Sequence, residues 1–391
     1  MGGVNRPPSA RRGATARAIG LIVALTVPFA APLAPALAQG GGSSPRRTGV
    51  EAEARNQPDV QAALAWLVAQ QGADGSWGQA NKLSLTGMAG MALLASGSTP
   101  QRGPYAQELQ RAILFVLQSQ QADRKAFQHP SSGYSAIHNH GYALLFLTQA
   151  YGEGGPLDDQ LRFAITQGVK ATIDSQFTGG GSDGGFGYFL YKRVVAKHRD
   201  MWQVDEASTT ISQIQALRGA RNAGFTVDRN ALERAGRYIA NSQHEPTGGF
   251  HYSIGSTPPR VSMHEGSDRP TFAITAACTA VLHALGNYDG PKVEAGIRYV
   301  EAFIPPSRRK IPFFYYAHYY AAQVMHMVGG PRGRRWMDAV RVELAARQRP
   351  DGRWAADPED TLASGDSEVL NTAWALQVCL IDRGTLPLHE R

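Results

Sequence analysis

Apolar residues recur at helical spacing in twelve segments along the chain, and segments of two kinds alternate. Segments of the first kind carry more charge and end in glutamine, as in AALAWLVAQQ, and a glycine-rich turn and an aromatic residue follow. Segments of the second kind are rich in Ala, Thr, Met and Leu and nearly free of Lys, and all but the last run into glycine, a common helix stop. The pattern predicts charged outer helices alternating with inner helices that are buried on most sides.

One outer and one inner segment form a unit, and the unit repeats at roughly 50–65 residues, a period that indicates a repeat architecture. The fifth unit, which begins GIRYVEAFIPP, keeps the helix pattern and the aromatic residues but lacks the glutamine. In the other five units the aromatic residue after the glutamine is predicted to be Trp77, Tyr134, Phe186, Phe250 and Trp354.

Six such units can form an open superhelix or a closed ring. The inner segments are too apolar to line an open groove, and closing the ring buries them. The sequence therefore predicts an all-α fold, an (α/α)6 toroid of inner and outer helices with a central cavity at one end. The pair that begins near Pro58 should pack beside the pair that ends near Cys379.

The repeated motif resembles the "QW" repeat of squalene and oxidosqualene cyclases, whose toroid is shared by protein prenyltransferase β subunits. The resemblance is carried by three sets of residues and covers residues 58–380. The sets are Trp66, Gln71, Gly75 and Trp77; Tyr238, Gln243, Gly248 and Phe250; and Gln348, Gly352 and Trp354. It implies that Gln satisfies backbone groups at the helix end and that Trp covers the joint before the next inner helix.

Residues 1–38 are typical of a secretory signal peptide, because basic residues precede a short apolar run that ends in Ala36-Leu37-Ala38. The run is too short for a membrane span of about 20 residues, and an uncleaved anchor is the alternative. Residues 39–57 are predicted to be a flexible linker and residues 58–391 the toroid. We therefore expect export to the periplasm or the cell exterior, with no transmembrane span in the mature chain.

The net charge of +7 falls to +3 without residues 1–38, which hold four arginines and no acidic residue. No block rich in Lys or Arg follows, so a nucleic-acid partner is not favoured. Cys278 and Cys379 lie in apolar helical patterns and are interpreted as buried thiols, with a disulfide as the alternative. No P-loop or H-E-x-x-H motif occurs in the sequence, which argues against the common kinase and metalloprotease sites. One G-x-S-x-G match occurs, at residues 180–184, but it falls in the glycine-rich turn after an outer helix pattern and not between a strand and a helix, so no hydrolase nucleophile elbow is predicted.

In the resembling family the pocket lies over the starts of the inner helices, and the candidate site residues are taken from there. Clustered carboxylates beside a histidine can hold one acid protonated and another ionised, as acid–base catalysis requires. The catalytic candidates are Asp205, His140, Asp366 and Glu368. The substrate-binding candidates are His138, Glu206, Tyr316, His318, Tyr319 and Trp202. Asp205, Asp366, His140 and His318 are expected to face one mouth of the toroid.

Most of these residues also have a structural interpretation. Asp205 and Asp366 stand where a helix N-cap belongs, and Glu206 and Glu368 would favour the positive helix end. The aromatic run PFFYYAHYY suits core packing as well as a cavity wall with π faces. A metal pair of His138 and His140 is disfavoured, since side chains at i and i+2 point apart on a helix.

The chain departs from the families that it resembles at their catalytic motifs. The D-x-D-D pattern of the cyclases is absent, and so is the Asp-x-Cys zinc pair of the prenyltransferases, since Ala276 and Gln377 stand two residues before the cysteines. We therefore assign no metal and no cofactor.

Three functions stay open on the sequence. One is a cyclase-like toroid that binds a small apolar, isoprenoid-like molecule in its cavity. The second is a polysaccharide lyase or glycosidase acting on a glycan. The third is a non-catalytic binding or scaffold protein, and a dry aromatic pocket, a wide polar groove or a filled centre would distinguish the three.

Overall fold

Outer and inner helices alternate along the chain, as the hydrophobic pattern predicts. The computed structural model describes residues 57–120, 125–133, 135–191, 205–255, 269–304, 306, 310–357 and 364–389. These residues contain twelve α-helices. The helices are α1 Val60–Ala69, α2 Lys82–Ala95, α3 Ala106–Gln118, α4 Ala136–Ala150, α5 Asp158–Ser175, α6 Ala207–Asn222, α7 Arg229–Asn241, α8 Phe272–Ala284, α9 Pro291–Glu301, α10 Phe314–Val328, α11 Gly330–Arg347 and α12 Ser364–Leu380. Across the described ranges there is no β-strand, and only isolated bridges occur.

The even-numbered helices form a closed inner ring. Each contacts the next in chain order, and α12 contacts α2 to complete the circle. The outer layer closes as well, because the Gln348 side chain at the end of α11 accepts a hydrogen bond of 2.7 Å from the backbone N of Asp59, ahead of α1. The predicted (α/α)6 toroid is confirmed, and the open superhelix is excluded.

Burial separates the two layers. Every residue of α2 from Leu83 to Ala95 is buried. Glycines permit this close packing, since a Cβ on Gly87 would lie 2.6 Å from the carbonyl oxygen of Tyr142 in α4. The outer α7 instead buries one stripe at helical spacing, from Ala231 to Ile239.

Five glutamines join neighbouring outer helices. In each, the side-chain amide donates to a carbonyl of its own turn and to a carbonyl near the start of the next outer helix. Gln243, for example, donates to Gly248 O at 3.2 Å and to Lys292 O at 2.8 Å. The five are Gln71, Gln120, Gln176, Gln243 and Gln348. This link between outer helices differs from the helix-end contact that the sequence predicts.

We call the glycine-rich turn between an outer helix and the inner helix that follows it a joint. The aromatic residue of the joint is anchored to both helices of its own pair. Trp354 is fully buried; its ring Nε1 donates to Leu344 O at 2.9 Å, and its backbone N donates to Thr372 Oγ1 at 3.1 Å. In the second unit the aromatic residue is Phe127, which pairs with Gln120, so the prediction of Tyr134 is wrong. Tyr134 itself lies outside the described residues.

The C-terminal residues cross the ends of three inner helices. Thr385 Oγ1 donates to Ala95 O at 2.9 Å, the backbone N of Leu388 donates to Gln149 Oε1 at 2.8 Å, and Asn222 donates to Pro387 O at 3.1 Å. This end of the toroid is thereby covered. No helix in the described ranges is long and apolar enough to cross a membrane.

Both cysteines are free thiols, as interpreted from the sequence, and Cys278 is buried. Residues 1–38, and all but the last residue of the linker 39–57, fall outside the described ranges. The signal peptide therefore stays a prediction.

Candidate functional site

A cavity of about 550 Å³ lies at the N-terminal ends of the inner helices, where the sequence analysis places the pocket. All six inner helices contribute to its wall, with one residue each from α6 and α10 and more from the others. Its volume falls within the roughly 300–1,000 Å³ of typical small-molecule sites. The centre of the ring is therefore open at this end, in contrast to the filled centre expected of a scaffold.

Aromatic side chains dominate the wall. They are Tyr142, Tyr188, Tyr252, Phe272, Phe303, Phe313, Tyr316 and Trp374. Aliphatic side chains complete it, namely Leu85, Pro270, Ala273, Ile274, Ile311, Pro312 and Leu370. Tyr316 meets Trp374 edge to face at a centroid distance of 5.5 Å, so part of the wall is fixed by ring packing. Such a surface suits an apolar ligand.

Polar groups are fewer, and they come from several elements. The uncharged ones include Asn81, Ser84, Ser135, His138, Ser208 and Asn371, and the cations are Arg269 and Lys310. None of the described lining residues is Asp or Glu. The wall therefore offers hydroxyl, amide, imidazole and cationic groups, without the acid–base pair of carboxylates that the sequence analysis expects.

His138 lines this cavity as a neutral imidazole. Burial lowers the pKa of His138 to about 4, and a hydrogen bond to the backbone of Ser208 opposes the shift. Nδ1 lies 2.9 Å from Ser135 Oγ. The ring faces Tyr188 at a centroid distance of 5.9 Å. Of the nine candidates that lie in the described residues, His138 and Tyr316 are in the cavity wall.

A hydrogen-bonded chain runs from Glu206 to the cavity. The Tyr252 hydroxyl donates to Glu206 Oε2 at 2.5 Å, and its oxygen lies 3.2 Å from the Tyr188 hydroxyl. Both tyrosines line the cavity, whereas Glu206 does not. Burial and the neighbouring Glu206 charge raise the pKa of Tyr252 far above its ordinary value. Glu206 therefore orients cavity side chains instead of meeting a ligand itself.

Asp205 is fully buried and does not line the cavity. It accepts from the backbone N of Ile254 at 2.9 Å, from that of Gly255 at 2.8 Å, and from the Tyr238 hydroxyl at 2.5 Å. It caps no helix either, since the N-cap position of α6 belongs to Glu206, whose side chain makes no capping hydrogen bond to a backbone amide of the first turn. The expectation that Asp205 faces the mouth is wrong, because the loop of the next unit uses both of its oxygens.

Asp366 has the same arrangement at the other side of the ring. It lies in the first turn of α12 and accepts from the backbone N of Gln79 and of Ala80, both at 2.8 Å. Glu368 lies 3.2 Å from Arg353 Nε, an ion pair directed at the joint. Neither carboxylate is in the cavity wall. Their catalytic role stays a prediction that these contacts do not support.

His140 and His318 face outward from the inner ring. His140 Nδ1 accepts from the backbone N of Phe127 at 3.1 Å, which is the contact that threonines make in other units. His318 Nδ1 lies 2.7 Å from Phe314 O, and its ring stacks on Trp336 at 5.9 Å. Burial lowers the pKa of each histidine to about 4. The expectation that they face the mouth is wrong, because both fill joints between the layers.

Two substrate-binding candidates remain. Tyr319 is buried against Trp374 at a centroid distance of 6.5 Å and is not in the cavity wall. Trp202 lies outside the described residues.

Three wall residues, Tyr188, Tyr252 and Trp374, are not among the site residues predicted from the sequence. A signal for the first two exists, because each stands two residues after the aromatic residue of its joint, in Phe186-Gly-Tyr188 and Phe250-His-Tyr252. Phe186 and Phe250 are buried in the core, and the tyrosine two residues after each of them lines the cavity. Trp374 lies in an inner helix whose pattern does not separate core from cavity.

Among the described residues no group of three or more His, Cys, Asp or Glu side chains is arranged to hold a metal ion.

No protein-family model and no curated protein matches the chain. The solved structures that resemble it include the type II terpene cyclase MstE from Scytonema, with a TM-score of 0.57 and 15% identity, covering 84% of this chain and 97% of that one. They also include a family 76 glycoside hydrolase from a bovine Bacteroides thetaiotaomicron strain, with a TM-score of 0.58 and 10% identity over 83% of this chain and 77% of that one. Dfg5 from Chaetomium thermophilum, solved with glucosamine, gives a TM-score of 0.51 and 15% identity over 77% and 80%. At these identities the likeness establishes the fold, a terpene cyclase-like α/α toroid that glycosidases share.

Proposed function

We propose that this protein binds a small apolar, isoprenoid-like molecule in the central cavity of the toroid. The observation that carries the proposal is the wall itself, in which eight aromatic and seven aliphatic described residues surround about 550 Å³. Burying apolar ligand surface contributes roughly 25 cal/mol per Å², so a cavity of this kind favours a hydrocarbon body. The structural neighbour MstE has been solved with geranylgeranyl dihydroxybenzoate, which is consistent with this ligand class.

We propose binding only, and we do not propose that the protein cyclises its ligand. Alkene protonation by the related cyclases needs a strong acid at the ligand, and the described part of the wall holds no Asp or Glu. His138 is neutral at physiological pH, with its pKa at about 4, so it meets a ligand as an imidazole and not as a cation.

The glycan alternative has less support. Glycosidases place two carboxyl groups on either side of the scissile bond. Here Asp205 and Asp366 each bind two backbone amides outside the cavity, and Glu368 pairs with an arginine. The glycosidase neighbours share the toroid but supply no matching pair in the described wall.

Native mass spectrometry of the protein purified from its host tests the proposal directly. We expect a co-purified mass that organic solvent extracts as a lipid. A co-purified hexose ladder would support the glycan alternative, and an empty protein that also fails to bind added isoprenoids would refute the proposal.

A variant that fills the cavity supplies the mechanistic test. Ala273 lies in the wall, 5% exposed, and Ala273→Phe places a ring in the ligand's space. We expect this variant to lose the thermal stabilisation that saturating ligand gives the wild type, about 2.7 kcal/mol at a hundredfold excess over Kd. The matched control is Ala65→Phe on the exposed side of the outer helix α1, which should keep it.

A further inference from the structure

Asn81 contributes an amide to the cavity wall, and hydrogen bonds fix the backbone that carries it. The backbone amides of Gln79 and Ala80, just before it, donate to the Asp366 carboxylate, both at 2.8 Å. The backbone N of Asn81 donates to Ser131 O at 2.8 Å. Asn81 has the left-handed conformation, with φ 51° and ψ 37°, which asparagine, aspartate and glycine tolerate better than most residues. The side chain therefore starts from a defined position.

The orientation of this amide follows from its neighbour Asn139. Asn139 Oδ1 accepts from the backbone N of Ser84 at 3.1 Å, and Asn139 Nδ2 donates to Ser135 O at 3.1 Å. A backbone N–H can only donate and a backbone carbonyl can only accept, so these two bonds settle which end of the Asn139 amide is the oxygen. Asn139 Nδ2 also donates to Asn81 at 2.8 Å, and the atom that accepts this bond must be Oδ1.

The other end of the Asn81 amide, Nδ2, is a donor without an acceptor among the described residues. Asn81 is the N-cap residue of α2, yet its side chain makes no capping bond. The backbone amides of Lys82 and Ser84 in the first turn already have side-chain acceptors, so the helix end itself is not the site. Nδ2 is not sealed inside the protein, because Asn81 is half-buried and lines the cavity. An amide NH₂ group only donates, so this position is suited to an acceptor on a ligand.

We propose that Asn81 Nδ2 donates a hydrogen bond to an oxygen atom of the ligand, and that the cavity therefore selects an oxygenated isoprenoid-like molecule over the corresponding hydrocarbon. This rests on the proposed function, since the molecule must first enter the apolar cavity. A hydrocarbon in the same place covers Nδ2 without offering an acceptor, and a buried donor left unmatched is the costly case for a polar group.

The test compares geranylgeranylacetone, an isoprenoid ketone whose oxygen can only accept, with the hydrocarbon in which a methylene replaces its carbonyl. Binding to the full chain is followed by tryptophan fluorescence, because Trp374 lies in the wall. The ratio of ketone to hydrocarbon affinity should be about fivefold higher for the wild type than for Asn81→Gly, the equivalent of one neutral hydrogen bond. Glycine suits the positive φ, so this variant removes the amide without straining the backbone.

Asn81→Asp separates the ligand contact from the structural one. Aspartate keeps an oxygen for Asn139 and tolerates the left-handed conformation, but it places a second oxygen where Nδ2 was. At about pH 8, where the carboxyl group is ionised, we expect the ratio to fall below that of Asn81→Gly, because two acceptors then face each other. A residue that only holds Asn139 would change the thermal stability of the variants and leave the ratio as it is.

Ser84→Ala is the matched control. Ser84 carries a hydroxyl in the same wall, in the first turn of α2, and a hydroxyl both donates and accepts. We expect this variant to keep the wild-type ratio. Near-ultraviolet circular dichroism of each variant reports folding, and Asn81→Gly remains informative if Asn81→Asp does not fold.

The outcomes separate the two proposals. If both Asn81 variants keep the wild-type ratio, or if Ser84→Ala loses it as fully as they do, the assignment of the oxygen contact to Asn81 is wrong while apolar binding stands. If neither probe binds the wild type, both proposals fail.

Discussion

Lowering the pH should destabilise this toroid through histidines that fold in the neutral state, and His140 allows the effect to be isolated. Burial lowers the pKa of His140 to about 4 from an ordinary value of 6.5, against the opposing hydrogen bond to Gly168. The geometry adds a reason. Nδ1 accepts from the backbone N of Phe127, and a proton on Nδ1 would place two donors face to face.

The sign follows from the direction of the shift. A histidine whose folded pKa is lowered contributes its full stability above pH 6.5 and loses it as the pH falls from about 6.5 toward about 4. At pH 5 the unfolded chain binds the proton and the folded chain does not, which costs about 2 kcal/mol per histidine relative to pH 7.

The repeat itself provides the variant. In four other units a threonine accepts the same backbone bond, as Thr86 does from Trp77 at 3.0 Å, so His140→Thr keeps an acceptor and removes the titration. We expect the variant to be less stable than the wild type at pH 7, because it loses ring volume. The gap should narrow by about 2 kcal/mol at pH 5. Urea unfolding with free energies of unfolding at both pH values measures this.

The control is Thr86→Ser, which changes no titratable group and should keep a constant gap. If the gap between wild type and His140→Thr is the same at pH 7 and pH 5, His140 does not fold as a neutral buried ring, and the reasoning is refuted.

Three further outcomes are expected. Trp354→Ala should lower the free energy of unfolding by about 3–5 kcal/mol, whereas Trp354→Phe should cost about 1 kcal/mol, since Phe250 fills the same joint in the fourth unit; equal losses in chemical denaturation would contradict this. Gln348→Ala removes two exposed bonds to Asp59, which join α11 to the residue before α1, and a third bond to Gly352 in its own turn; it should cost about 1–3 kcal/mol in the same assay, and no effect would mean that the ring closure is not held there. N-terminal sequencing of the exported protein should begin at about Gln39, and a start at Met1 would disprove the signal peptide.

The fold could be predicted because the same pattern of an outer and an inner helix occurs six times in the sequence. Helix periodicity, glycine stops and the contrast between charged and apolar helices all indicate alternating layers. Where one unit lacks a feature of the pattern, the other units still show it. Tyr134 shows the limit. In the second unit several aromatic residues follow Gln120, and the pattern does not reveal that Phe127, seven residues on, has the spacing that closes the joint.

The site residues were harder to predict, because knowing that a residue lies at the start of an inner helix does not tell whether its side chain points into the cavity or toward the outer helices. His138 and His140 are two residues apart in α4, yet the first lines the cavity and the second fills the joint with Phe127. An α-helix has 3.6 residues per turn, so each residue is rotated by about 100° from the one before it, and two residues are enough to point side chains to opposite sides of the helix. The start of each inner helix identified the right region of the molecule, but only the threonine in the equivalent position of other units could have marked His140 as structural.

The carboxylates at the inner helix starts act on the cavity through the backbone of the next unit. Asp205 binds the amides of Ile254 and Gly255, and this fixes the loop that carries Tyr252 into the wall. The fit is tight, because a Cβ on Gly255 would lie 2.2 Å from the Asp205 carboxylate. Asp366 binds the amides of Gln79 and Ala80, next to Asn81 in the wall. Each carboxylate satisfies two backbone amides of a loop, and this is sufficient to explain it as a residue that holds the shape of that loop. These two acidic residues therefore lie beside the cavity and shape it, while Tyr188 and Tyr252, which follow two of the joints, form part of the wall that a ligand would meet.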